Sequence, residues 1–333
     1  MNNTMVASLR ATGHAWKWRL LRWLHHLDYA YFLPILARLP RALAFALGSV
    51  RGSVNAAMGR DWRSVALGFR HILRQSHLGF SKLPGVYTQA QLARWSRERF
   101  EEESRDELEA CWVAARRLGA LRCQFNPPAW ASLQPKRARG LVLLTPHFES
   151  FYLGIAFLAQ ATGWRLNSMS SAVAKDPRVD AAVSRHFDQK YRGLEHYLNG
   201  GKVLDMEVGL RPFYRMLEHH ETLVVLADAP VLPQGAAMTV DFLGGMRTLA
   251  GGALRLAQRT HSDLGGYVCR YQGAGHYSLE LCTIGSADDP QTIERVYQFL
   301  TQAILAHPGG WWAADLLPHM PLVESAADDN ANN

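Results

Sequence analysis

Few cysteines and no internal repeat limit what this chain of 333 residues can be. Its four cysteines are scattered along the chain, at Cys111, Cys123, Cys269 and Cys282. That number and spacing exclude a disulfide framework and a cysteine zinc site, and indicate a reducing compartment. The lack of any fixed period excludes solenoids and propellers.

Long apolar runs are also missing. The segment 29–50 is apolar overall, but Pro34, Arg38, Pro40 and Arg41 interrupt it. Its longest unbroken run is far shorter than the roughly 20 residues that span a bilayer. No clean apolar stretch precedes a small-residue cleavage site, as a signal peptide requires. We therefore expect neither a membrane-spanning helix nor a cleaved leader.

Acidic residues are nearly absent from residues 1–82, where only Asp28 and Asp61 oppose twelve lysines and arginines. The net charge of +10 in this segment leaves the rest of the chain slightly acidic. Between residues 16 and 27, tryptophans and leucines alternate with basic residues, a pattern typical of a helix in a lipid headgroup layer. The alternative is an amphipathic helix packed on the domain. Nucleic acid is not expected as a partner, because no nucleic-acid module accompanies the charge.

Hydrophobic periodicity predicts helices alternating with short buried strands after a helical beginning. Residues 88–118 form one long predicted helix, and we expect its dense charge run to be a solvated face. Further predicted strands cover 140–145, 222–227, 265–270 and 277–282, and further predicted helices cover 153–161, 178–192, 209–219, 247–260 and 293–305. This order predicts an α/β fold: a mixed central sheet flanked by helices, with a helical N-terminal membrane-associating region.

The expected organisation has three parts. Residues 1–82 form a basic amphipathic helical region, residues 83–324 form the α/β core, and residues 325–333 form a disordered tail. No linker rich in Ser, Gly or Pro separates the first two parts, so they are expected to form one compact domain.

Two segments place polar residues directly after buried strands. His147 follows the apolar run 140–145, and Asp228 follows the run 222–227. The carboxyl ends of strands are where α/β proteins place reactive groups, and imidazole can accept a proton at neutral pH. A glycine-rich segment with Phe242, Gly244 and Arg247 comes next. A structural histidine and a turn-capping aspartate remain the alternatives for these two residues.

The order of these segments resembles the lauroyl/myristoyl late acyltransferases of lipid A biosynthesis, within the lysophospholipid acyltransferase-like group. The resemblance covers about residues 33–318. It is carried by the segments Leu36–Gly48, Leu141–Phe148, Leu210–Asp228, Phe242–Gly244 and Ala253–Thr260.

The resemblance implies transfer of a fatty acyl group from an acyl thioester to a hydroxyl, or an amine, of a glycolipid or lipid-like acceptor. His147 would be the general base. The donor would be acyl carrier protein or acyl-CoA, and no metal or redox cofactor would take part. The expected location is the cytoplasmic face of the bacterial inner membrane, with peripheral attachment to its anionic surface.

One position departs from the family pattern, in which an acid stands five residues after the histidine. Here that residue is Tyr152, and the only acid nearby is Glu149. We expect Glu149 to orient His147 as the second catalytic residue. Orientation by another acid such as Asp228, or a loss of activity, are the alternatives.

Four residues are the candidates for substrate binding: Tyr152, Arg185, Asp228 and Arg247. The two arginines fall in segments that resemble the family's central region, where phosphates of an acceptor or a carrier need a cation. The alternative for each is a solvated surface charge. The alternative for the whole protein is a non-catalytic lipid-binding or scaffold protein that keeps the acyltransferase fold.

Overall fold

The computed structural model describes residues 16–126 and 137–323. The predicted tail 325–333 lies outside the described residues, as do residues 1–15. The chain enters through a helical segment, α1, over residues 16–36, which contains a π-helical stretch at Asp28–Phe32 and ends in the turn Leu33–Leu36. The helices that follow are α2 at Arg41–Met58, α3 at Ser64–Leu67, α4 at His71–Phe80 and α5 at Gln89–Ala114.

Helix α5 corresponds to the helix predicted at 88–118. Thr88 caps its start, and Gln91 completes a capping box by accepting from the backbone N–H of Thr88. The expectation that its charge run is a solvated face is wrong. Arg99, Glu103 and Glu107 are buried, together with Glu102, Asp106 and Glu109. The first helices cover this side of α5 and supply partners for its charges, which local sequence spacing does not reveal.

Ten strands are described: β1 at Arg122–Asn126, β2 at Leu141–Thr145, β3 at Leu166–Ser170, β4 at Val203–Asp205, β5 at Thr222–Leu226, β6 at Ala237–Asp241, β7 at Met246–Ala250, β8 at Asp263–Gly273, β9 at His276–Leu281 and β10 at Gly285–Ser286. The main sheet has the order β1-β9-β8-β2-β5-β3-β4, with β10 paired to β8. Strands β8, β2, β5, β3 and β4 are parallel neighbours, whereas β9 runs antiparallel to β8. The sheet is therefore mixed, as expected.

Four later helices connect strands: α6 at Phe151–Thr162, α7 at Ala181–Glu195, α8 at Arg211–Glu218 and α9 at Gly252–Arg259. Helix α10 at Pro290–Ala306 follows the last described strand. Strand β2 is buried on both faces. Its residues Leu141 and Leu143 pack into the core beneath α1, α5, α6 and α7, and Val142 and Leu144 pack into the core beneath α8, α9 and α10. The central sheet thus separates two helical layers, as expected for an α/β fold.

The helix predicted at 247–260 is wrong in its first part. Residues Met246–Ala250 form β7, which pairs with β6 in a separate two-stranded sheet, and the helix begins only at Gly252. Leu243 and Gly244 in the connecting turn both have positive φ, so this segment makes a tight reversal that helical periodicity cannot describe.

Ion pairs join the first helices to the rest of the molecule. The Arg51 guanidinium lies 2.6 Å from Asp28 and 2.6 Å from Glu107 of α5, and all three side chains are buried. Arg63 lies 2.9 Å from Asp315 near the end of the described chain. Within the described residues, no helix is both long and apolar enough to cross a membrane.

Candidate active site

Two neighbouring parallel strands end side by side at the centre of the sheet. Strands β2 and β5 pair so that Thr145 lies opposite Leu226. His147 and Asp228 each stand two residues beyond these partners. The equal spacing brings the two side chains to the same point at the carboxyl edge of the sheet, where open α/β sheets bind their ligands.

His147 and Asp228 form a hydrogen-bonded pair. His147 Nδ1 lies 2.8 Å from Asp228 Oδ1, and the backbone N–H of His147 donates to Asp228 Oδ2 at 2.8 Å. A carboxylate can only accept, so the ring proton of a neutral His147 resides on Nδ1. Nε2 is then the nitrogen with a free electron pair, which is the state a general base requires.

The Asp228 carboxylate is fully buried and receives a third donor. Trp311 Nε1 donates to Asp228 Oδ2 at 2.7 Å, and both side chains have no solvent exposure. Burial alone acts to raise the pKa of Asp228, but the His147 and Trp311 partners outweigh it and hold the pKa below its usual value. The carboxylate is therefore ionised at neutral pH and fixed in orientation.

The segment Gly310–Trp312 binds along the loop that carries His147. The backbone N–H of Trp312 donates to the His147 carbonyl at 3.0 Å, and that of Glu149 donates to the Gly310 carbonyl at 2.8 Å. A Cβ at Gly310 would lie only 2.9 Å from Glu149 Cγ, so the backbones approach this closely because the residue is glycine. Residues from the far end of the described chain thus hold the loop that carries His147 and Glu149.

Glu149 does not contact the imidazole of His147, which corrects the expectation that it orients that ring. Its backbone has a φ of 44°, and this left-handed conformation turns the side chain elsewhere. Its carboxylate accepts from the backbone N–H of Tyr271 at 2.8 Å and pairs with His307 Nδ1 at 3.0 Å. The acid beside His147 is Asp228, which was the alternative.

Tyr152 is buried in the first turn of α6 and contacts neither His147 nor Asp228 through its hydroxyl. That hydroxyl donates to the backbone carbonyl of Lys190 in α7. Burial raises the pKa of the phenol well above its usual value, so Tyr152 carries no charge. The ring lies beneath the Lys190 ammonium, 4.2 Å from the ring centroid, and lines the cavity described below.

The other predicted substrate-binding residues, Arg185, Asp228 and Arg247, do not line the cavity that His147 and Tyr152 line. Arg185 is exposed on α7 and does not line it. Arg247 is buried and donates to the carbonyls of Phe242 at 3.0 Å and Met320 at 2.9 Å, so it fastens the β6–β7 turn to the chain end. Asp228 is occupied by its three donors. The structure therefore pairs His147 with Asp228, places Tyr152 in the lining of the cavity that His147 also lines, and leaves the two arginines outside.

His147 lines an apolar cavity of about 290 Å³ between the sheet edge and helices α5, α6 and α7. This volume is near the lower end for ligand-binding pockets, which are typically roughly 300–1,000 Å³. Most of the lining is apolar or aromatic and includes Phe151, Ile155, Met169, Phe187, Tyr191, Val203, Val224, Leu226, Trp312 and Leu316. The cavity suits an apolar chain with its reacting end at the imidazole.

Sequence reasoning missed the part played by Trp311, and it gave the pairing of Asp228 with His147 only as an alternative. The signal for Asp228 is present in the sequence, because both residues stand at the same distance beyond neighbouring buried strands. Trp311 has no such signal, because it does not follow a predicted strand. Within the described residues, no group of three or more metal-ligating side chains forms a metal site.

His147, paired with Asp228, lines an apolar cavity, and this arrangement suits a group transfer between hydrophobic substrates. The family model for bacterial lipid A biosynthesis acyltransferases matches residues 132–313, more than half of the chain. The chain belongs to this family, which confirms the family expected from its motifs. No curated protein matches the chain significantly. Enzymes of the family transfer an acyl group to a lipid acceptor without a cofactor, because the acyl donor is a co-substrate.

Proposed function

We propose that the chain transfers a fatty acyl group from an acyl thioester to a hydroxyl, or an amine, of a glycolipid or lipid-like acceptor. The observation that carries this proposal is the hydrogen bond of 2.8 Å between Asp228 and His147, the latter of which lines the apolar cavity. The donor is acyl carrier protein or acyl-CoA.

In the proposed reaction, the acceptor hydroxyl donates a hydrogen bond to His147 Nε2. As its oxygen attacks the thioester carbonyl carbon, its proton passes to Nε2. Asp228 stabilises the resulting imidazolium and keeps the ring in place, which makes it the positioning residue. The C–S bond then breaks, the thiolate takes the proton from the imidazolium, and the products are an ester and a free thiol.

The acyl chain occupies the cavity in this proposal. Phe151 and Trp312 flank the imidazole, with ring centroids 5.6 and 5.7 Å from that of His147. These two rings pack against each other with centroids 5.2 Å apart, and an acyl chain that lies along them leaves water and buries its methylene groups, each contributing about 0.8 kcal/mol. Burial of the chain therefore supplies binding free energy, and the ring contacts hold the carbonyl near the base.

The test is release of free thiol from purified protein given an acyl thioester and a lipid acceptor, with the acylated product identified by mass spectrometry. His147→Ala is expected to abolish release, because no other described group replaces Nε2. His196→Ala is the matched control, since His196 is exposed directly after the end of α7. A His147→Ala protein with normal turnover would refute the mechanism.

One observation favours a second candidate, a non-catalytic lipid-binding protein. Tyr152 stands where the family pattern has an acid, and its hydroxyl is bonded to a backbone carbonyl instead of the histidine. The same assay separates the two candidates. Acyl-chain binding without thiol release across a panel of acceptors would favour the second.

We also propose peripheral attachment to the cytoplasmic face of the bacterial inner membrane through α1, within a basic region ending at residue 82. Trp16, Trp23 and Tyr31 of this helix are 67%, 57% and 61% exposed. Lys17, Arg19 and Arg22 are exposed on the same helix. Exposed aromatic side chains beside cations fit the headgroup layer of an anionic membrane.

A further inference from the structure

The indole N–H of Trp311 is held against the Asp228 carboxylate. The side chain of Trp311 has no solvent exposure, and its Nε1 donates to Asp228 Oδ2 at 2.7 Å. The ring packs edge-to-face against Phe242, with centroids 6.5 Å apart, and the backbone of Trp311 pairs with that of Phe148, the residue after His147. Ring packing and backbone pairing together fix the direction of the N–H bond.

The donors around Asp228 divide its two oxygens between them. Oδ2 accepts from Trp311 Nε1 and from the backbone N–H of His147, whereas Oδ1 pairs with His147 Nδ1 at 2.8 Å. Asp228 itself is fully buried. The imidazole and the indole therefore share the negative charge of one buried carboxylate.

Two donors on one carboxylate compete for its charge. A hydrogen bond to Oδ2 draws negative charge towards that oxygen and leaves less at Oδ1, the oxygen that stabilises an imidazolium. The competition is stronger in a buried site than in water, because charges and dipoles interact more strongly at low dielectric. A carboxylate without the indole donor would attract the proton of His147 more strongly, and the charged ring would persist to higher pH.

The indole donor thus meets two needs of the site at once. Burial acts to raise the pKa of Asp228, and Trp311 is one of the partners that hold this pKa below its usual value, so the carboxylate stays ionised. A general base also works best when its affinity for a proton is matched to the operating pH. An ionised aspartate with no other side-chain donor would hold the imidazolium too firmly for that purpose.

We propose that Trp311 is a positioning residue that acts on His147 through Asp228: its indole N–H takes up part of the carboxylate charge and so limits how firmly the imidazole holds a proton. The effect on turnover rests on the proposed function, in which His147 is the base. The effect on the protonation of His147 does not, because it depends only on the hydrogen bonds.

Other titratable and charged groups are packed near the pair. Tyr297 of α10 lies near Asp228, and its hydroxyl is directed to Met238 Sδ at 3.7 Å. In the loop, Glu149 pairs with His307 and lies 3.6 Å from Arg270. Those that line the cavity with His147 are Arg63, Glu103, Asp106, Glu107, His186 and Lys190. A substitution of Trp311 alters none of these groups, so a change in the titration of His147 reports on the indole.

The test follows the His147 ring nitrogens by NMR over a pH series in protein labelled with ¹⁵N-histidine, with the resonances assigned by their loss in His147→Ala. Trp311→Phe keeps an aromatic ring and removes the N–H. In this variant the midpoint of the titration is expected to rise by about half a pH unit, part of the roughly one to two units that a hydrogen bond to a charged group is worth.

Trp112→Phe is the matched control. Trp112 is also buried, and its Nε1 donates at 2.9 Å to the carbonyl of Ala37, away from the site. Its replacement loses a buried indole hydrogen bond of similar length and is expected to leave the His147 midpoint unchanged.

Thiol release adds a second readout. In Trp311→Phe the acid limb of the pH–turnover profile should move to higher pH by the same amount as the NMR midpoint. Turnover on the plateau should fall by about tenfold, the ratio that one net hydrogen bond provides. The KM for the acyl thioester should stay within about twofold of wild type, because the ring that lines the cavity is that of Trp312.

A further measurement does not depend on folding of Trp311→Phe. In Trp312→Phe, which lacks the indole beside the imidazole, one remaining indole N–H proton should move upfield as His147 becomes charged, because the imidazolium then competes for Asp228. The movement should disappear when His147→Ala is added. If no indole resonance followed the His147 midpoint, the inference would be wrong.

A His147 midpoint in folded Trp311→Phe that equals or lies below that of the wild-type protein would overturn the inference. An equal rise in Trp112→Phe would overturn it as well, since loosened packing would then explain the effect. A raised midpoint in Trp311→Phe alone, with no thiol release from the wild-type protein, would refute the proposed reaction and leave the action of Trp311 on the imidazole standing.

Discussion

Replacing Asp228 by asparagine removes a charge from the candidate active site without changing its shape. The native carboxylate accepts from His147 Nδ1 and the backbone N–H of His147, and from Trp311 Nε1. An amide has one accepting oxygen and one NH₂ group that only donates. If its oxygen faces Trp311, the NH₂ group faces Nδ1, and the ring proton must move to Nε2. If the amide is reversed, its NH₂ group faces two donors, the backbone N–H of His147 and Trp311 Nε1.

The size of the expected effect follows from these two orientations. The first makes His147 the wrong tautomer for a base, and the same change in the serine-protease triad lowers turnover by about 10⁴-fold. The second leaves buried donors unpaired at a cost of about 1–3 kcal/mol each. We expect Asp228→Asn to lower turnover by about 10³–10⁴-fold and the free energy of unfolding by about 1–3 kcal/mol.

Acidification should affect the wild-type protein and this variant differently. Burial tends to raise the pKa of Asp228, but its hydrogen-bonded partners hold it below the usual value. A depressed carboxyl pKa contributes stability above the unfolded-state pKa of about 3.9, and this contribution is lost as pH falls through the folded-state pKa. The wild-type protein should therefore lose its stability advantage over Asp228→Asn as the pH falls below about 4.

Thiol release and urea unfolding, measured at pH 7 and at several acidic values, provide the assay. Asp241→Asn is the matched control, because Asp241 is exposed at the end of β6. Turnover of Asp228→Asn within tenfold of wild type, in a folded protein, would refute the assignment of Asp228 as the group that orients His147.

Two further predictions concern Glu149 and α1. Glu149→Gln should lower turnover by less than about tenfold and should lower the free energy of unfolding by about 1–2 kcal/mol, because an amide keeps one acceptor for the Tyr271 N–H. A loss of turnover as large as that of Asp228→Asn would contradict this prediction. In fractionated cells, salt alone should release only part of the protein from membranes, and high salt with mild detergent should release the rest. The reason is that salt screens the charge attraction but does not remove the aromatic side chains of α1 from the headgroup layer. Complete solubility in a low-salt lysate would count against attachment through α1.

Features that depend on short stretches of chain could be predicted from the sequence. The apolar run before His147 forms β2 and the run before Asp228 forms β5, as predicted, because a strand buried on both faces needs continuous apolar residues. The weakly patterned strands β3 and β4 were not predicted. The sequence predicts a helix that includes residues 247–250 because the apolar spacing of the following α9 extends back into them, whereas pairing with β6 decides their conformation.

The buried charges of α5 show why pattern alone failed there. A helix rich in Glu and Arg is usually solvated on that face. Here Arg51 reaches Glu107 across 56 residues of sequence, and Lys190 reaches Asp106 across 84. Burial of these charges depends on partners from other helices, and no local spacing encodes which partner will arrive.

At the candidate site, the acid that the family pattern places at position 152 is replaced by a residue from another part of the chain. An acid five residues after the histidine would come from the first turn of α6, whereas Asp228 comes from the end of the neighbouring strand. Because β2 and β5 are in register, His147 and Asp228 lie at the same height above the sheet and pair directly. A carboxylate in this place performs the orienting task without help from α6. Tyr152 instead lies against Lys190, and both residues line the cavity. The tyrosine at the family's acid position is therefore compatible with an ionised, oriented catalytic pair.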